Sequence, residues 1–137
     1  YFPIALEAAL KMKEVTYLHV EGMPAGFLKH GTLALVDDTM LSLFLLPPPR
    51  DTELHAQTLS ALEEVKARNG PIVGFLFDDD AQARSLLEHC VELPVVPSTV
   101  APFLHLIFSQ LFAYFAALKL GRSIDKPRNL AKSVTVG

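Results

Sequence analysis

Three short apolar runs restrict what this chain can fold into: Met40 to Leu46 (MLSLFLL), Ile72 to Phe77 (IVGFLF) and Val91 to Val96 (VELPVV). Each has the length of a strand and little polar alternation, the pattern of strands buried on both faces. Between them the period changes to that of helices. Asp51 is placed to cap a helix whose Leu54, Thr58, Ala61, Leu62 and Val65 recur at helical spacing until Asn69-Gly70-Pro71 stops it. Ala81 to Cys90 makes a shorter helix, and Pro97-Ser98-Thr99 leads from the third run into a long apolar one. Strands alternating with helices imply an α/β fold with a parallel sheet covered on both faces.

The chain opens on a helix, Pro3 to Tyr17, although the usual unit of such a fold begins with a strand. A first strand, turning tightly into Pro3, can therefore have been cut away. A polar link, HVEGMPAG, follows the helix, and Phe27 to His30 form a helical turn that Gly31 stops. A chain of 137 residues, half of them apolar, suits one globular domain over residues 1–137, with 121–137 as a basic tail. Net charge is −3, but the last nineteen residues carry +4 and the rest −7. An acidic body with so short a basic tail argues against nucleic acid and for a small anion as partner.

Cys90 is the only cysteine, which excludes an internal disulfide and a multi-cysteine zinc site and fits a reducing cytoplasm. Thr99 to Leu118 carries no formal charge and is long enough to span a bilayer. Pro102, His105, Ser109 and Gln110 interrupt it, however, and it reads as a helix of a core or subunit interface rather than a membrane span. It predicts self-association.

The first helix also carries the most suggestive chemistry. Glu7, Lys11 and Glu14 fall on one stripe, with Ile4 and Val15 on one side and Leu10 and Tyr17 on the other. Two readings follow. Glu7 and Lys11 can be an ordinary i,i+4 pair that stabilises the helix by roughly 0.2–0.5 kcal/mol. Alternatively, an ammonium that polarises oxygen beside a carboxylate that takes a proton from carbon, both against apolar walls that raise the carboxyl's pKa, can move protons on a carbonyl substrate.

Other candidates carry bland alternatives too. Asp78, Asp79 and Asp80 could hold magnesium beyond a strand end, but capping the next helix is the better reading. His19, Glu21 and His30 lack a compact metal-ligand spacing, and His89-Cys90 reads as a helix end. His30, bracketed by Lys29 and Gly31, can exchange a proton near neutral pH or be a solvated loop residue. Lys132 can be a tail cation, pair with phosphate or condense with a ketone. No metal or cofactor is called for.

The pieces PIALEAALKMKEVTYLHVEG, LKHGTLALVD and above all DKPRNLAKSVTV resemble the C-terminal end of the glucosamine-6-phosphate synthase family. The resemblance covers nearly the whole chain. It implies a flavodoxin-like three-layer α/β sandwich, the second of two sugar isomerase (SIS) domains, lacking its first strand. It also implies a cytoplasmic homodimer that converts fructose 6-phosphate to glucosamine 6-phosphate. Carried over by motif, Glu14 shuttles the C1/C2 proton, Lys11 handles the neighbouring oxygens and Glu7 is its partner. His30 opens the sugar ring from the adjoining subunit, Lys132 forms the Schiff base and Ala131 lies beside the sugar. Phe27 and Thr32 depart from the glutamate and proline usual around LKHG. The family's glutaminase cysteine and its first SIS domain, which holds the sugar phosphate, have no counterpart in these 137 residues. A non-catalytic sugar-phosphate-binding SIS module and a related sugar-phosphate isomerase or deaminase are the alternatives.

Overall fold

In a computed structural model, which describes residues 1–130, the apolar runs become β1 (Ser42–Leu45), β2 (Ile72–Phe77) and β3 (His89–Leu93). They form a parallel sheet in the order β1-β2-β3, with Ser42 beside Ile72 and Val73 beside His89. Parallel neighbours need a crossover between them. These are α2 (Thr52–Lys66) and α3 (Ala81–Leu86), which lie on one face of the sheet; α1 (Phe2–Thr16) and α4 (Ala101–Lys119) lie on the other.

The alternation of side chains along β2 shows why its sequence is apolar throughout. Ile72 and Leu76 enter the core built by Leu59, Leu62 and Val65 of α2 and Ala83 of α3, whereas Val73, Phe75 and Phe77 meet Leu104, Phe108 and Phe112 of α4. Gly74 belongs to the first set. A Cβ there would lie 2.3 Å from Leu87 Cδ1 and 3.1 Å from Leu46 Cδ1, so the missing side chain is the room that Leu87 fills.

Several local expectations are corrected by this packing. The first strand is shorter than Met40 to Leu46. The third begins two residues earlier than Val91 and stops at Leu93, before Pro94; Pro94 lacks the N–H that a ladder needs. His89-Cys90 is therefore strand, not helix end, and Cys90 pairs across from Gly74. The helix before it ends at Leu86 because Leu87 turns extended to pack over that glycine. On α2, Leu54 is exposed and His55 takes the inward position. Asp51 occupies the N-cap position, but its side chain makes no capping bond; Oδ1 accepts instead from Ser98 Oγ at 2.6 Å.

The long apolar segment is α4. It has a mean hydropathy of 1.5, long and apolar enough to cross a membrane, with 28% of it buried. Its inner face stacks Phe108 and Phe112 edge-on against Phe75, with ring centroids 6.5 and 5.9 Å away. His105 is enclosed between Tyr1 and Phe77, each ring 5.2 Å distant, and burial pushes its pKa down to about 4. A second side receives α1, while Phe103 and Phe115 on the outer side are each 62% exposed.

Candidate functional site

Helix α1 buries Ala8, Ala9 and Thr16. Small residues let its backbone sit close to α4, where Ala113 and Ala117 are also buried. Burying the small side chains leaves the longer polar ones outside the contact. The helix ends at Tyr17, in the left-handed region at φ 67°, and its N–H caps Lys13 O at 3.1 Å. Thr16 Oγ1 donates to Met12 O and accepts from Leu18 N, fixing the exit of the chain.

The next residues run back along the helix. A Cβ on Gly22 would lie 2.4 Å from Ala5 O and 2.8 Å from Leu6 N, so the two backbones touch there. The lengths agree: five extended residues cover about 17 Å, and the twelve helical residues they retrace rise about 18 Å. This return strap runs beside the helix that carries the charged stripe.

Within the stripe, Lys11 is the centre. Its Nζ lies 2.7 Å from Glu14 Oε2, to which it donates, and 3.7 Å from Glu7 Oε1. The hydrogen bond to Glu14 is the main reason the ammonium's pKa is raised; desolvation works against it, and the charges of both carboxylates add to it. Lys11 is therefore held as a cation. The side chains of Lys11, Glu7 and Glu14 are 35%, 35% and 27% exposed, so the stripe is half-buried rather than sealed by the apolar walls expected around it. Solvent reaches it.

His30 is not brought to this stripe. It ends the 3-10 turn Ala25–His30, which packs on α2, the layer on the other side of the sheet from α1 and α4. It is exposed beside the ring of Phe27, 5.9 Å away, and Gly31 stops the turn at φ 155°, as expected from its position. Ala131 and Lys132 lie outside the described residues.

Among the described residues no three His, Cys, Asp or Glu side chains gather as a metal site. His19 and Glu21 pair at 3.5 Å with both side chains in solvent, and Asp80 is engaged elsewhere. Its Oδ1 accepts from Ala83 N at 3.0 Å, the expected cap, and its Oδ2 lies 2.7 Å from His55 Nε2 in a buried pair. Beside it Arg50 approaches Asp79 at 3.5 Å.

Two arrangements were not legible as local motifs. The His55–Asp80 pair joins α2 to the cap of α3 across 25 residues. Tyr17 Oη accepts from Arg128 N at 2.8 Å across 111 residues, with the Arg128 and Arg122 guanidinium carbons 4.1 and 5.3 Å from its ring centre. Neither has a spacing that could have announced it. Only the parallel placement of α1 and α4 puts Tyr17 beside the segment that leaves α4.

Comparison with known proteins bears on what this geometry serves. The chain is 47% identical over 135 residues to the glutamine–fructose-6-phosphate aminotransferase (isomerizing) of Aquifex aeolicus, covering 98% of this chain and 22% of that protein. The enzyme of the same name from Methanococcus maripaludis is 50% identical over 132 residues, 96% of this chain and 21% of that protein. The chain thus spans roughly a fifth of the curated relatives it matches. The C-terminal domain of the glucosamine-fructose-6-phosphate aminotransferase from Francisella tularensis superposes with a TM-score of 0.82 at 39% identity, over 92% of this chain and 35% of that one. Residues 1–120 match the SIS domain, and by sequence and fold alike the chain belongs to the SIS domain family.

Proposed function

We propose that this chain is the catalytic part of an isomerase that makes glucosamine 6-phosphate from fructose 6-phosphate and ammonia derived from glutamine. The observation that carries the reading is the half-buried Glu7–Lys11–Glu14 relay on α1, in a chain close to half identical to enzymes of that name. In the reaction His30 passes a proton to open the sugar ring. The ε-amine of Lys132 then adds to the C2 ketone and expels water, giving an imine that ammonia displaces. Glu14 removes a proton from C1 and returns it to C2, while Lys11, held protonated, steadies the negative charge that develops on the neighbouring oxygen. Glu7 completes the neutralisation of Lys11, and Ala131 lies beside the sugar. Residues 121–137 are thus the part of the single domain that brings Lys132 to the site.

A second copy of the chain supplies His30, because within one copy the sheet separates its turn from α1. The reading is therefore of a homodimer with shared sites, working in the cytoplasm as part of a longer polypeptide. Glu14→Gln in the full-length protein tests the chemistry. Deuterium exchange at C1 and C2 of fructose 6-phosphate should stop while sugar binding survives, and ordinary turnover would sink the assignment. Mixing Glu14→Gln with His30→Ala tests the sharing. Random reassociation makes half the dimers mixed, each with one intact site, so about a quarter of the parental activity should return.

A further inference from the structure

The turn Ala25–His30 is a 3-10 helix of six residues, opened by Phe27 N donating to Pro24 O at 3.0 Å. With three residues per turn, side chains at i and i+3 lie one above the other. The turn therefore has three rows of two. Ala25 and Leu28 form the row that packs against the core on α2, and Phe27 and His30 form another, in which both residues are exposed. Their rings meet edge-to-face, with centroids 5.9 Å apart and planes at 68°, the arrangement that aromatic quadrupoles favour.

The backbone under His30 is held on both sides, by Leu28 before it and by the buried Leu33 after it. The imidazole itself has no hydrogen bond or ion pair among the described residues. An exposed side chain of this kind samples three χ1 wells and a broad χ2. What narrows that choice is the Phe27 ring, which at 65% exposure stands outside the core and serves its neighbour instead.

Opening the sugar moves a proton from the C2 hydroxyl to O5 as the C2–O5 bond breaks and the C2 carbonyl forms. The group that handles this proton must face two oxygens on one carbon, so the direction of the imidazole matters as much as its presence. We propose that Phe27 is a positioning residue that, by packing edge-on against His30, sets the direction in which the imidazole is presented to the sugar. The inference rests on His30 being the ring-opening residue of the reading above.

The test uses the full-length protein carrying Glu14→Gln, so that the later proton transfer does not consume the sugar. Fructose 6-phosphate labelled at C2 with a heavy carbon isotope is added, and exchange between its two ring anomers is followed by magnetisation transfer. The anomers interconvert only through the open chain, so exchange above the uncatalysed rate reports ring opening alone. Phe27→Ala should lower that excess rate by about two- to tenfold, the range an aromatic pair supports. Phe27→Tyr, which keeps the ring, should hold the parental rate, and His30→Ala should remove the excess. The dissociation constant for the sugar should change by less than about twofold in both Phe27 variants, the split expected when a step rather than binding is affected.

A parental excess rate in Phe27→Ala, with His30→Ala inactive, would overturn the positioning role and leave the ring-opening reading standing. So would exchange and sugar binding that fall together in Phe27→Ala, or a loss in Phe27→Tyr as large as that in Phe27→Ala. An undiminished excess in His30→Ala, or none in the parent, would remove the ring-opening reading first and this inference with it.

Discussion

Asp80→Ala is the substitution whose consequence follows most directly from the structure. The carboxylate is 2% exposed and has two duties: Oδ1 caps α3 through Ala83 N, and Oδ2 holds His55, itself 5% exposed. Losing the cap costs about 1 kcal/mol. Leaving the buried His55 ring nitrogen without its hydrogen-bond partner costs as much or more, about 1–3 kcal/mol. A total of about 2–4 kcal/mol is a large share of the roughly 5–15 kcal/mol that holds a domain folded. For a domain of this length it should lower Tm by about 7–14 °C. Asp80→Asn keeps the cap and can donate its amide to a neutral His55, so it should lose less than half as much. Thermal melting of both variants, with His55→Ala and the double variant, closes the cycle. A coupling energy above about 1 kcal/mol is expected for groups in direct contact. A Tm loss under about 3 °C for Asp80→Ala, or strict additivity in the cycle, would refute the claim that the pair joins α2 to α3.

Three further outcomes are expected. Lys11→Met should change stability by less than about 0.5 kcal/mol, because its pairs are a third exposed and solvent-screened; chemical denaturation beside an activity assay would separate a catalytic loss from a folding one. His105, with its folded pKa lowered to about 4 by burial, binds its proton more readily in the unfolded chain, so stability should be intact above pH 6.5 and fall as pH drops towards 4. The loss is on the order of 3 kcal/mol, and His105→Leu should flatten that part of a urea-midpoint profile against pH. Finally, Gly74→Val should destabilise by about 1–3 kcal/mol or more, since its side chain must displace Leu87 and Leu46 in a filled layer; an unchanged urea midpoint would show that the layer is looser than it looks.

Much of the fold was legible because buried parallel strands write a continuous apolar signal and helices a periodic one. The three runs, the two crossovers, the stop at Gly31 and the cap by Asp80 all follow from short-range chemistry. The errors fall where a contact from another element decides. Leu87 leaves the helix early because Gly74 offers it a hole, and Asp51 gives up its cap for Ser98, 47 residues away. At the site, the Glu7–Lys11–Glu14 stripe was visible because helical spacing alone brings those groups together.

What the sequence determines by itself, then, is whatever acts within about one turn or one strand: the stripe, the period of each element and the resemblance carried by its motifs. Tertiary structure alone decides the rest. It exposes the stripe to solvent on its outer flank, places His30 in the layer across the sheet from Glu14, and sets Tyr17 against Arg128. Those relations depend on which helices share a face of the sheet, and that is fixed by the summed burial of both faces rather than by any one segment.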